Sequence, residues 1–426
     1  MARKDGVRGT TPRPTGDVRV TMYDVGFGDC FLVSFPYSNG RERHVLIDCG
    51  TSTERKDKME KVVGQIAQDC GGKLHGLVVT HRHLDHLSAF GLKGVGDKLA
   101  SLAPEIVVQP WTEHPRAEPE AETAPEVFPK LALTHLRALA AGQEFAAQIV
   151  RAAPAFLAGG SRSLHPLVFV ASLAVKNRAA VDRLEGMGKK HAYVHAGVKS
   201  GLEQVLPGVR VSVLGPPTLK RSQAIRRQTE WDEDEFWKLQ ARLAARGAVN
   251  RPQLRARSAV FSRAATTALA KAPSHAKWLM GKLDRTHAQN VQRIVTALDN
   301  ALNNTSVILL FEVGSKALLF PGDAQLEIWQ YALQDADTKA RLRKVDLYKV
   351  GHHGSTNATP HSLWNLFRNR KPKPRPGRLV TVLSTKPGKH ERVPRKSLVN
   401  ELGSNSDLHS TQDWARHKRL SETYVL

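Results

Sequence analysis

Cysteine is scarce in this chain of 426 residues: Cys30, Cys49 and Cys70 are its only three. An odd number in apolar or helical surroundings excludes a disulfide framework and reads as reduced, buried thiols. Long apolar runs are absent too. None reaches the roughly 18–20 residues that a bilayer span requires, so no membrane insertion is expected. The start, Met1-Ala2-Arg3-Lys4-Asp5-Gly6, lacks the apolar centre of a secretory signal. These absences lead us to expect a soluble, cytoplasmic protein. Acidic residues are in the minority, 40 against 63 lysines and arginines, for a net charge of +23. An enzyme for a small neutral substrate needs no such excess. It points to an anionic partner, whether nucleic acid, nucleotide or membrane surface, or to a basic face that meets an acidic protein. No internal repeat is present. With 41% hydrophobic residues the chain can bury a core, as one large domain with insertions or as two domains.

The densest chemistry lies in Thr80-His81-Arg82-His83-Leu84-Asp85-His86. It follows Leu77-Val78-Val79, a short apolar run of the buried-strand kind, and precedes Leu87–Leu92, where a helix can start. Three imidazoles and one carboxylate within six residues are costly to set side by side for packing alone. His81 and His83 are two apart, so from an extended segment they project the same way. Asp85 and His86 then turn towards a second point nearby. Imidazole nitrogens with one carboxylate suit zinc, and also manganese or iron.

Other segments read as the frame around this motif. Val18–Tyr23 alternates like a strand. Asp24-Val25-Gly26-Phe27-Gly28-Asp29 is a glycine turn into the apolar Cys30–Val33. Arg43–Ile47 is a strand that ends in Asp48-Cys49-Gly50. Residues 53–70 place Met59, Val62, Val63, Ile66 and Ala67 on one helix face. Ile106–Trp111 is a further strand, and Val209–Leu214 runs into Gly215-Pro216. Asn303–Glu312 and Lys316–Phe320 form a hairpin about Gly314 that leads to Pro321-Gly322-Asp323. Asp346–Val350 runs into Gly351-His352-His353-Gly354-Ser355, and Leu379–Ser384 is the last clear strand.

In this order the motifs resemble the metallo-β-lactamase superfamily, whose signature is His-x-His-x-Asp-His. Within it they resemble the hydrolase domain of the ComEC-type DNA-uptake proteins, which opens with Asp-Val-Gly-x-Gly-Asp and carries Leu-Gly-Pro, Gly-Asp and His-His-Gly-Ser elements. The resemblance covers about 17–115, 205–217 and 301–415. It implies an α/β protein, the αβ/βα four-layer sandwich of that superfamily, with two mainly helical insertions. On this reading residues 1–16 are a disordered basic tail and 17–115 the first half of the domain. A helical insertion at 116–204 precedes a returning strand at 205–217. A basic helical insertion at 218–300 precedes the second half at 301–426.

The resemblance also implies a site for two divalent ions, zinc in the first place and manganese or iron as alternatives. His81 and His83 would hold the first ion, Asp85, His86 and His353 the second, and Asp323 would bridge them. Asp48 would orient a ligand histidine, and Asp29 would sit at the rim. Comparison with the Gly-His-Gly turn of other members makes His353 the ligand and leaves His352 either to support a ligand or to face substrate. Ser355 and Thr356 would donate hydrogen bonds to a bound phosphate. Asp85 and His352 are the expected catalytic groups. One more ligand histidine is open among His114, His135, His165, His191 and His195, and no motif singles one out. The family's closing Gly-His-Pro is altered at Lys389-His390-Glu391, which argues against a role for His390.

Such a site implies hydrolysis by a metal-activated water. With this charge the expected substrate is a phosphodiester of DNA or RNA. Residues 251–293 carry nine lysines or arginines against Asp284 alone, and 365–396 carry eleven against Glu391. Runs of this kind are solvated helix faces or tracks for a phosphate backbone. In the second case Arg370, Lys371, Lys373 and Arg375 are the expected contacts. Two alternatives stand beside this reading. One is a small-molecule hydrolase for a nucleotide, lactone or amide. The other is a non-catalytic nucleic-acid-binding module with a structural metal, against which the intact ligand set argues.

Overall fold

The computed structural model of the chain describes residues 12–38, 40–114, 178–226, 302–372, 374–386, 388, 393–414 and 419–426. Most of both expected insertions, with His135 and His165, lies outside the described residues, as do Lys373, His390 and residues 1–11.

Thirteen strands form two sheets among the described residues. The first takes Arg19–Tyr23 (β1), Cys30–Pro36 (β2), Glu42–Cys49 (β3), Gly76–Val78 (β4), Ile106–Pro110 (β5) and Lys190–Val194 (β6). The second takes Arg210–Gly215 (β7), Ile308–Val313 (β8), Lys316–Phe320 (β9), Leu347–Lys349 (β10), Val380–Leu383 (β11) and Asp407–Ser410 (β12). Ser421–Val425 (β13) returns to the first sheet, giving the orders β13-β1-β2-β3-β4-β5-β6 and β12-β11-β10-β9-β8-β7. Helices are Lys56–Asp69 (α1), Leu84–Gly91 (α2), Val95–Ser101 (α3), Arg178–Glu185 (α4), Leu202–Val205 (α5), Leu326–Ala332 (α6), Ala336–Leu342 (α7), His361–Trp364 (α8) and Lys396–Asn405 (α9).

Burial explains why these strands read as nearly continuous apolar runs. β2 is buried from Cys30 to Phe35, so both of its faces are covered. One face meets the other sheet: Val20, Met22, Phe31, Val33 and Ile47 share a core with Leu309, Phe311, Leu318 and Phe320. Phe31 and Phe320 meet edge to face at 5.9 Å between centroids. The opposite face of the first sheet packs Tyr23, Leu32, Leu46 and Leu77 against Met59, Val62, Val63 and Ile66 of α1. On the far side of the second sheet, Ile328 and Trp329 of α6, Trp364 of α8 and Leu402 of α9 cover Ile308, Leu310, Leu319 and Tyr348. The layers run helices, sheet, sheet, helices, which is the expected αβ/βα sandwich.

Pairing directions decide where the site falls. β1, β2 and β3 are antiparallel neighbours, whereas β3 to β6 run parallel, with Leu46 opposite Leu77 and Leu77 opposite Val107. In the second sheet β7, β8 and β9 are antiparallel and β9 to β12 parallel. Side chains just beyond the carboxyl ends of parallel strands collect at one edge, where such sheets form their sites.

Two expectations are corrected. The stretch 116–204, read as a helical insertion, contains β6, which pairs with β5 from Ile106↔Lys190 to Pro110↔Val194. Its alanine-rich surroundings hid a five-residue edge strand with only Val194 fully buried. The tail 1–16, read as disordered, is tied down near its end: Thr15 N–H donates to the Pro36 carbonyl at 3.0 Å and Pro14 bridges Tyr37. All three cysteines are free and buried, as expected.

Candidate metal centre

Four segments meet at this edge. β4 runs into Thr80–His86, β9 into Gly322-Asp323, β10 into Gly351–Ser355, and β3 ends at Asp48-Cys49. The helix expected after the motif begins inside it: His83 caps α2, and Asp85 and His86 occupy its first turn. Glycines allow the close approach. A Cβ on Gly50 would stand 2.5 Å from the His86 backbone nitrogen, and one on Gly322, at φ +56°, would stand 2.7 Å from Thr80 Cβ.

His86 is fully buried between two carboxylates. Its Nδ1–H donates to Asp48 Oδ2 at 2.8 Å, and its Nε2 lies 3.1 Å from Asp323 Oδ2. Asp48, at φ +56°, is held in turn by the Thr80 N–H and hydroxyl, each at 2.7 Å. His353, also fully buried, uses Nδ1–H on the Ser384 carbonyl at 2.9 Å, and its Nε2 lies 3.2 Å from Asp85 Oδ2. In both rings one nitrogen is fixed by an acceptor and the other is turned towards a carboxylate, the arrangement that orients a ligating imidazole. His81 Nε2 sits 2.9 Å from His83 Nδ1 and 3.9 Å from Asp323 Oδ2. His81 and His83 therefore do lie together, as their spacing predicts.

The charges respond to this crowding. Burial works against the imidazolium form of His86, but Asp323 and Asp48 outweigh it and hold the ring well above the usual histidine range. His353 is raised in the same way, burial being overcome by Asp323, Asp29 and Asp85. Burial and the neighbouring His86 and His83 push His81 far down. Burial would raise Asp85 and Asp323, yet the surrounding imidazoles hold both below the ordinary carboxylate range.

These donors fit divalent cations. Three sets, each with its candidate ligand atoms within 4.8 Å of one another, are His81, His86 and Asp323; Asp85, His86 and His353; and Asp29, Asp48 and His86. Imidazole nitrogens, once a cation displaces their protons, and carboxylate oxygens suit zinc, manganese or iron.

Asp29 is not at a rim. It is 1% exposed and forms an ion pair with Lys349, a residue the sequence reading passed over. Lys349 Nζ also donates to the Gly322 carbonyl at 3.0 Å and lies 3.5 Å from Asp323 Oδ1. Burial works against the ammonium, but Asp29 and Asp323 hold it above the ordinary lysine range. A lysine inside Leu347-Tyr348-Lys349-Val350, just before the double histidine, was the available signal. Arg82 was passed over too. Inside the motif, its Nε donates to Glu113 Oε2 at 2.8 Å, which fastens the loop to the end of β5.

The double histidine forms a left-handed turn, with φ +43° at His352 and +51° at His353, followed by Gly354 at +80°. Consecutive non-glycine residues seldom adopt this conformation. Ser355 N–H to the His352 carbonyl at 2.9 Å and Arg395 N–H to the Gly354 carbonyl at 2.8 Å hold it. The turn buries His353 and leaves His352 27% exposed, its Nε2 3.8 Å from Asp323 Oδ2. Ser355 is buried and donates to Asn357 at 3.1 Å, while Thr356 accepts from Arg395 at 2.9 Å.

The remaining expected residues, His83 and His352 included, belong to none of these sets. His114 meets Tyr193 edge to face at 4.6 Å between centroids, and His191 stacks on the same ring at 6.1 Å. His195 Nδ1 lies 3.0 Å from the Ala196 carbonyl. Arg370 rests over Trp364 at 5.2 Å and donates to the Phe367 carbonyl at 3.2 Å. Lys371 is half-buried and Arg375 exposed.

Among known families, the model of the metallo-beta-lactamase superfamily matches residues 23–128, which take in β2 to β5 and the whole His-x-His-x-Asp-His motif. No curated protein matches the chain.

Proposed function

We propose that this chain is a metal-dependent hydrolase with two divalent ions, acting on a phosphodiester of DNA or RNA. One observation carries the reading. His86 and His353, fully buried and each oriented through Nδ1, turn Nε2 to Asp323 and Asp85, where strands of both sheets end. A structural role for so many ionisable groups in one dry place is disfavoured by their desolvation. The superfamily match over the same motif supports it.

His81 and His83 would hold one ion, Asp85, His86 and His353 the other, with Asp323 between them. Bound there, such ions activate a water as nucleophile and neutralise charge on the attacked phosphoryl group. Asp48 keeps His86 in the tautomer whose Nε2 faces the centre. The Ser384 carbonyl does the same for His353. His352, partly exposed beside Asp323, is the side chain placed to touch substrate.

The choice of a polymeric substrate rests on the net charge of +23. Arg370 is occupied by Trp364 and the Phe367 carbonyl, which leaves Lys371, Lys373 and Arg375 as the contacts of that run. The test is a panel of single- and double-stranded DNA, RNA and a chromogenic phosphodiester, assayed with chelator and after metal is restored. Turnover of a polymer that stops with chelator and returns with metal is expected. Polymer binding should weaken about 10³–10⁵-fold between 50 and 200 mM salt if roughly 6–10 phosphates are contacted. Metal-dependent turnover of small substrates alone, with salt-insensitive polymer binding, would place the chain among small-molecule hydrolases instead.

A further inference from the structure

Carboxylates crowd the inner part of this centre. Asp29, Asp48 and Asp323 are each 1% exposed, and Asp85 adds a fourth carboxylate. Besides the imidazoles, one ammonium is built in among them. Lys349 is 2% exposed at the end of β10, and its Nζ pairs with Asp29, reaches the Gly322 carbonyl and faces Asp323 Oδ1. An ammonium is costly to bury and is kept where charge or hydrogen bonding needs it.

We infer that Lys349 is a permanent counter-ion of the metal centre. It braces Asp29 and Asp323 so that the site keeps its shape without metal, with Asp323 Oδ2 turned towards the histidines. This rests on the metal-centre reading above. The two oxygens of Asp323 face different neighbours. Oδ1 lies 3.5 Å from Lys349, whereas Oδ2 lies 3.1 Å from His86, 3.9 Å from His81 and 3.8 Å from both His352 and His353. Oδ1 faces the ammonium and Oδ2 faces the imidazoles, so Oδ2 is the oxygen that would be offered to an ion held by these histidines. The same ammonium ties down the Gly322 carbonyl, and so the turn that presents Asp323. Lys349 is a positioning residue: it acts through Asp323 and Asp29.

A divalent cation supplies the same charge compensation, so removing the lysine should make folding depend on metal. Thermal unfolding of the full chain is measured in chelator and in added Zn²⁺ or Mn²⁺, for wild type, Lys349→Met and the double variant Asp29→Asn/Lys349→Met. Wild type should unfold cooperatively in chelator. Lys349→Met in chelator should melt about 5–15 °C lower, as expected for a buried charge left without its partner. Metal should restore most of that loss, so its metal-induced rise exceeds that of wild type. The double variant, with one carboxylate neutralised, should regain part of the loss in chelator. An equal metal-induced rise in wild type and Lys349→Met overturns the inference. If Lys349→Met does not fold in either condition, the double variant decides. Its recovery supports the charge role, and its failure to recover reduces Lys349 to packing. A wild type that binds no metal would instead sink the metal-centre reading itself.

Discussion

Asp48 and His86 are joined at 2.8 Å, carboxylate to Nδ1–H, although one ends a strand and the other begins a helix. The contact determines which nitrogen of His86 faces Asp323. Asparagine tolerates the positive φ of Asp48, so Asp48→Asn should fold while losing the charge that polarises the ring. Metal affinity should fall about 10–100-fold, as for other partners of a ligating histidine. Competition with a chromogenic chelator measures it, and an unchanged affinity would reduce Asp48 to a turn residue.

The two adjacent histidines should separate cleanly. His353 is fully buried and directed at Asp85; His352 is part-exposed. His353→Ala should lower metal content, whereas His352→Ala should retain metal and lose turnover. The reverse pattern would assign the ligand one residue earlier.

A pH effect is expected away from the centre. Burial first, then Lys73, Arg43 and His44, pull His75 down from 6.5 to about 4, against the opposing charge of Glu105. Its Nδ1 accepts the His44 N–H at 3.1 Å, which requires an unprotonated nitrogen. Because the folded pKa is depressed, the unfolded chain binds the extra proton. The stabilisation is therefore complete above pH 6.5 and is lost as pH falls towards 4. His75→Gln should show a shallower loss of stability in denaturant titrations across this window. His44, also lowered by its burial, retains part of the slope. Identical slopes in the variant and wild type would contradict the assignment.

How much of this was legible in the sequence depends on how local each cause is. Alternating or continuous apolar runs reveal β1 to β5 and β7 to β11, because burial acts residue by residue. The His81–His86 motif and the double histidine are legible because their spacing is chemical. What stayed hidden is paired over long distances. Asp29 reads as a rim residue until Lys349 is seen beside it, and Arg82 gives no signal of its own until Glu113 meets it. Arg370 reads as a free basic residue until Trp364 lies under it. β6 escaped because a short edge strand with mostly half-buried residues has little apolar pattern.

The central claim is that these side chains form a metal centre, and elemental analysis of the purified chain tests it most directly. Wild type should carry about two equivalents of a divalent metal. His86→Ala, which removes a donor shared by all three candidate sets, should lose about one equivalent while remaining folded. A wild type without bound metal, or a folded His86→Ala with its metal content unchanged, would contradict the account.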